Sequence, residues 1–250
     1  MLWTKAIPKD AAAEAQARRH EAVVEVPDAL VYLAALIGIL TDKLGFRKSV
    51  ETNAGILGDG TPIPMMSYGL VEYLMGLDLT HCDVLELGGG DSTGFWSART
   101  KSVLTFETNP QWAKSVEAKA LANVTVRAAT AQTLAADIAR LGTGFDIIVI
   151  DAAANRHACA RAALGKLKPG GFILLDNSDW YPNTTQLLRE ADLIQVDYPD
   201  FRPAHYVRAA ASLFLRRDFR PRPRLDRLPL PCIGGKDIGP DNLWDTVTPP

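Results

Sequence analysis

Cysteine is scarce in this chain of 250 residues. There are three, Cys82, Cys159 and Cys232, odd in number and widely spaced. That argues against a disulfide framework and suits reduced thiols in a cytosol. No C-x-x-C pair and no His/Cys cluster is present, so nothing suggests structural zinc. An excess of one charge is also lacking: the formal net charge is −2, which offers no overall electrostatic case for nucleic acid. Long hydrophobic runs are absent. The apolar run at residues 29–40 is too short to span a bilayer and reads as a buried or dimer-forming helix. No secretory pattern precedes it. A cytoplasmic protein with no membrane partner is therefore expected, with a homodimer through the N-terminal helix as its assembly. No internal repeat occurs.

What is present is concentrated at residues 84–94, VLELGGGDSTG. An apolar strand runs through Glu86 into Gly88, Gly89 and Gly90. Glycine allows a tight turn after a strand and a close backbone approach to a ligand. The following helix would aim its N–H groups at an anionic group. Seventeen residues past Gly90, a second strand-like run ends in Glu107, where a carboxylate can accept two hydrogen bonds from a ribose diol.

From residue 83 onward, apolar strands alternate with helical segments. Strands are predicted at 84–87, 103–106, 124–127, 146–150 and 172–175, with helices at 92–100, 111–121, 131–140, 156–166 and 184–190. Such alternation implies a parallel sheet covered on both faces. The runs at 193–198 and 211–215 have no helix between them, only an expected loop at 199–206, so they must be antiparallel neighbours. The predicted fold is α/β, a Rossmann-like doubly wound sheet, mostly parallel, with a C-terminal antiparallel hairpin. Residues 1–56 form an N-terminal helical extension, including one helix from about 27 to 44, and residues 57–218 the cofactor-binding domain. Residues 219–250 form an extended Pro/Arg-rich tail.

An acidic residue two places before the first glycine, together with the terminal hairpin, resembles class I S-adenosylmethionine (SAM) dependent methyltransferases. More narrowly, DGTPIP at 59–64, Ser67-Tyr68, the LELGGGDST run and Asp176-Asn177-Ser178-Asp179 look like a little-characterised bacterial branch of that family. The resemblance implies a cofactor, SAM, and a set of contacts. Glu86, Gly88, Gly89 and Gly90 match the first motif, with Glu86 near the methionine end. Ser92 and Thr93 would meet the cofactor carboxylate, and Glu107 the ribose. The acid usual near the adenine is missing here, which leaves Thr130 or a backbone amide as a stand-in. Asp151 would face the methyl group and the acceptor.

Methyl transfer is an in-line displacement that needs alignment and an outlet for the acceptor's proton. Asp151, Asp176 and Asn177 end adjacent strands and offer oxygen ligands for Mg²⁺, a pattern similar to catechol-type O-methyltransferases. Asp151, His157, Asp179 and His205 are candidate catalytic groups, with Tyr181 and Tyr206 as further proton acceptors. Trp180, Tyr181, Phe201 and Tyr206 can wall a pocket for the acceptor, and Met65, Met66 and Tyr68 can close over the cofactor as a lid. The expected partner is a small-molecule or peptide acceptor. Two other readings compete: a catalytically silent SAM-binding regulator or scaffold, and an NAD(P)-dependent oxidoreductase. Aminopropyl transfer is disfavoured because Ala152, Ala153 and Ala154 supply no polyamine-binding acid.

Overall fold

The structure, a computed structural model, describes residues 29–142 and 144–236. The expectations for residues 1–28 and for the tail beyond 236 lie outside them. The chain divides into two units, residues 1–38 and 39–250. The described part of the first is helix α1, Ala29–Gly38. No single helix among the described residues is long and apolar enough to cross a membrane, although a bent pair, Ala29–Lys43 with Phe46–Thr52, passes the same test together.

In the second unit a π-helical turn, Ile39–Lys43, precedes α2, Phe46–Thr52. The sequence reading expected one helix up to Gly45 as its stop. Instead Gly45, at φ 71°, begins the next one. α3, Tyr68–Met75, buries Tyr68, Leu70, Val71 and Leu74. Strands and helices then alternate: β1 Asp83–Leu87, α4 Asp91–Ser97, β2 Ser102–Glu107, α5 Pro110–Ala118, β3 Val124–Ala128, α6 Leu134–Ala139, β4 Phe145–Ile150, α7 Arg156–Leu164 and β5 Leu167–Leu175. A 3₁₀ turn, Ser178–Trp180, leads to α8, Pro182–Glu190, and the chain closes with β6 Ile194–Arg202 and β7 His205–Leu215.

The seven strands lie in the order β3-β2-β1-β4-β5-β7-β6. β1 to β5 pair in parallel, while β7 is antiparallel to both β5 and β6. Successive side chains point to opposite faces of a strand, and the core divides accordingly. Val84, Ile147, Val149, Phe172 and Leu174 pack with Phe95 and Trp96 of α4 and with α3. Leu85, Leu87, Ile148, Ile150, Ile173 and Leu175 pack with α6, α7 and Leu188 of α8. Strands buried on both faces need unbroken apolar runs, which explains IIVI and FILL. Each such side chain contributes roughly 2 kcal/mol by leaving water.

Two boundaries differ from expectation. The predicted loop at 199–206 is mostly ladder: Pro199 pairs with Ala210, Asp200 with Ala209 and Arg202 with His205. β6 is the sheet edge, where a proline's missing N–H removes no needed bond. The real turn is only Pro203 and Ala204, the latter at φ 58°. β5 likewise starts at Leu167, before the expected start at 172, with a register irregularity against β4 between Phe145 and Ile147.

Candidate active site

The strand order reverses direction between β1 and β4, and ligands of open α/β sheets bind at the carboxyl ends of the strands flanking such a point. Gly88 follows β1 there and Asp151 follows β4. Gly88 holds φ 100°, and its N–H donates to the Phe106 carbonyl at 2.8 Å. A Cβ on Gly88 would stand 2.8 Å from the Asp151 carbonyl oxygen, and one on Gly89 would stand 2.7 Å from Thr105 Oγ1. At Gly90 no atom of the described residues, its chain neighbours aside, lies within 4 Å of such an atom. The first two glycines let three strand ends close together, and the third leaves open space.

That space is part of a cleft of ≈ 350 Å³, lined by Met65, Met66, residues 88–92, Glu107, Thr108, Asn109, Trp112, Asp151 and Ala153. Glu107 ends β2 with its carboxylate Oε1 accepting from the Asn109 N–H at 2.6 Å. Asn109 also caps α5, its Oδ1 accepting from the N–H groups of Gln111 and Trp112 at 2.9 and 3.3 Å, with Pro110 in the first turn. This start holds Trp112, 48% exposed, on the cleft wall. The sequence reading passed over Trp112, although a helix start directly after the acid of strand two was its signal.

Glu86 is fully buried beneath the glycine loop. Ser92 Oγ donates to its Oε1 at 2.7 Å and Thr93 Oγ1 to its Oε2 at 2.6 Å. Burial pushes its carboxyl up to about 7, against the pull of hydrogen bonds from Ser92, Thr93 and Thr105. Glu86 and Thr93 therefore brace the loop and are not among the residues that line the cleft. Ser92 does line it, with its hydroxyl turned to Glu86.

Of the candidate catalytic residues, Asp151 alone lines this cleft. Burial raises its pKa, opposed by Arg156. His157 is the second residue of α7, half-buried and off the wall. Asp179 Oδ1 accepts from the Ala210 N–H at 3.0 Å, tying the 3₁₀ turn to β7. His205 opens β7 opposite Arg202, and burial with that arginine lowers its pKa. Thr130, expected near the adenine, bonds instead with Thr133, donating Oγ1 to Oγ1 at 3.2 Å. Met65 and Met66 line the cleft, whereas Tyr68 is 2% exposed and belongs to the core.

The expected Mg²⁺ ligands do not converge on a cation. Among the described residues no group of three or more His, Cys, Asp or Glu side chains forms a metal cluster. Asp151 Oδ1 accepts from Arg156 Nη2 at 2.7 Å. Asp176 is buried, and its carboxyl is pushed up to about 7 by that burial and by Asp151, against Arg156 and Arg202. Both arginines escaped the sequence reading. A basic residue in the first turn of a helix, where it opposes the helix dipole, was the available signal for Arg156.

Residues 85–178 match the family model described as a methyltransferase domain. That segment is similar to a methyltransferase domain, and the sheet order with a glycine loop at the switch point is that of a class I, Rossmann-like fold. Among solved structures, the chain is similar to a precorrin-6y C5,15-methyltransferase from Geobacter metallireducens GS-15, at 16% identity and a TM-score of 0.47, covering 59% of this chain and 86% of that one. Aeropyrum pernix fibrillarin with natively bound S-adenosyl-L-methionine matches at 16% identity and a TM-score of 0.46, covering 59% and 74%. A Methanococcus jannaschii fibrillarin pre-rRNA processing protein matches at 15% identity and a TM-score of 0.47, covering 61% and 75%. A comparison with curated proteins gives no match.

Proposed function

We propose that this chain methylates a small-molecule or modified-peptide acceptor with SAM as donor. The observation that carries the reading is the joining of the glycine loop, Glu107, Trp112 and Asp151 in one cleft at the switch point. The cleft fits the donor: Gly90 leaves room for a close backbone approach, Glu107 offers a carboxylate to a diol, and Trp112 offers an exposed ring to a base. When bound, SAM supplies a methyl group on a positively charged sulfur. The chain's own part is to hold the reactants in line and to exclude water. Asp151 lines the wall and accepts from Arg156; in this reading it orients the acceptor and receives its proton. Met65 and Met66 supply apolar wall to the cleft.

Calorimetric titration of the purified protein with S-adenosylhomocysteine, and separately with NAD⁺, tests the donor. Micromolar binding of S-adenosylhomocysteine and none of NAD⁺ is expected, and the reverse would end the reading. A panel of small phenols, amines and peptides, assayed for release of S-adenosylhomocysteine, then separates the acceptor classes. The proposal includes a homodimer through α1, whose side chains Val31, Leu33 and Leu36 are 59%, 52% and 64% exposed.

A further inference from the structure

Asp151, Asp176 and Asn177 leave two strand ends that pair side by side, Ile150 against Leu175. That placement would suit a divalent cation, yet each side chain is turned to an internal donor. Asp151 Oδ1 accepts from Arg156 Nη2 at 2.7 Å. The Asn177 amide, oriented to satisfy both neighbours, donates its nitrogen to Asp176 Oδ2 at 2.8 Å and accepts from Arg202 Nη1 at 2.9 Å.

Arg156 also binds the backbone at both strand ends. Its Nη1 donates to the Asp176 carbonyl at 2.5 Å, its Nε to the Ala152 carbonyl at 3.2 Å and its Nη2 to the Asp151 carbonyl at 3.2 Å. The guanidinium carbon lies 4.5 Å from the Tyr181 ring centre, and the side chain is 7% exposed. Such burial of a permanent charge is costly unless every donor is used. It stands, moreover, in the first turn of α7, where the helix dipole disfavours it. The carboxylate and three carbonyls account for its position. A divalent ion bound to the same oxygens at about 2.0–2.6 Å would have to displace the guanidinium.

We propose that Arg156 is a built-in cation standing where a divalent metal would otherwise bind, a positioning residue that joins the ends of β4 and β5 and turns Asp151 to the cleft. The intact site takes up neither Mg²⁺ nor Ca²⁺, and removing the guanidinium opens a cation site. The inference concerns the site of the proposed methyl transfer, but its test needs neither donor nor acceptor.

Terbium is the probe, because its luminescence is sensitised by nearby aromatic rings, alongside thermal melting in millimolar Mg²⁺. The wild-type full chain should show no saturable terbium signal at this site and no melting shift. Arg156→Ala should gain saturable terbium binding, at least tenfold tighter than wild type, and a second substitution, Asp151→Asn, should remove it. Arg156→Lys keeps a positive charge and should restore the wild-type silence. A merely structural arginine would create no such metal dependence. Wild-type terbium uptake abolished by Asp151→Asn would overturn the proposal, as would a folded Arg156→Ala that binds no ion. If Arg156→Ala fails to fold, Arg156→Gln takes its place under the same two outcomes. Binding of S-adenosylhomocysteine, measured separately, bears on the donor reading alone.

Discussion

Thr93 Oγ1 donates to Glu86 Oε2 at 2.6 Å while accepting from the Gly90 N–H at 3.0 Å. One hydroxyl thus links the buried acid of β1 to the turn that shapes the cleft. The carboxyl is held at about 7, above its ordinary 4.5, mainly by burial. The sign follows directly. Between pH 4.5 and 7 the folded chain binds this proton more tightly than the unfolded chain, so stability falls as pH rises through that window. Asp176, also held at about 7, acts in the same sense. Glu86→Gln should match wild type near pH 5 and exceed it at pH 8 by on the order of 2 kcal/mol. Urea unfolding at the two pH values checks this. A gap that does not grow with pH would show that Glu86 does not titrate in the folded state as described.

The glycines of the loop separate fold from binding. Gly88→Ala places a methyl 2.8 Å from the Asp151 carbonyl at a φ of 100° that alanine rarely adopts. It should cost about 1–3 kcal/mol of stability, read as a lower melting temperature. Gly90→Ala meets no atom of the described residues, its chain neighbours aside, within 4 Å. It should melt like wild type yet bind S-adenosylhomocysteine about tenfold more weakly, because the methyl enters the cleft. Equal melting of the two variants would remove the distinction drawn between these positions.

Legibility in the sequence followed how local the cause was. IIVI and FILL announced doubly buried strands, and the lack of a helix between residues 198 and 211 announced the antiparallel pair. Glycines and Glu107 were legible because backbone reach and strand ends fix their placement. α2 was not, since FRKSVET carries too few apolar residues to show a helical period. The hairpin loop was misread because Pro199 is a strand breaker only away from an edge. Arg156 and Arg202 were missed for a different reason. Their partners are carbonyls and side chains on neighbouring strand ends, a long-range arrangement that no spacing encodes. The same holds for the Thr93 hydroxyl, whose partner Glu86 stands seven residues earlier.

The proposed dimer is tested by mass. Light scattering during gel filtration should give twice the mass of one chain for the wild type. Leu33→Asp with Leu36→Asp should give a single chain's mass, because buried carboxylates without partners oppose association. Affinity for S-adenosylhomocysteine should not change. A wild type of single-chain mass at high micromolar concentration would refute this part of the proposal.

Glu107 and Trp112 give the most direct test of the donor site. One oxygen of Glu107 accepts from the Asn109 N–H at 2.6 Å, which fixes the carboxylate at the cleft. Asn109 in turn holds the first turn of α5, so the acid and the indole share one support. Glu107→Ala should weaken S-adenosylhomocysteine by about 1–3 kcal/mol through lost charged hydrogen bonds. Trp112→Ala should weaken it by a similar amount if its ring stacks on the base, since such stacking is worth about 1–3 kcal/mol. Because the two residues share Asn109 as a support, the loss in the double variant should differ from the sum of the single losses. S-adenosylhomocysteine should also quench tryptophan emission. The chain has five tryptophans, so Trp112→Phe must abolish most of the quench for the assignment to stand. Unchanged affinity in a folded Glu107→Ala, with quenching that survives Trp112→Phe, would move the donor out of this end of the cleft.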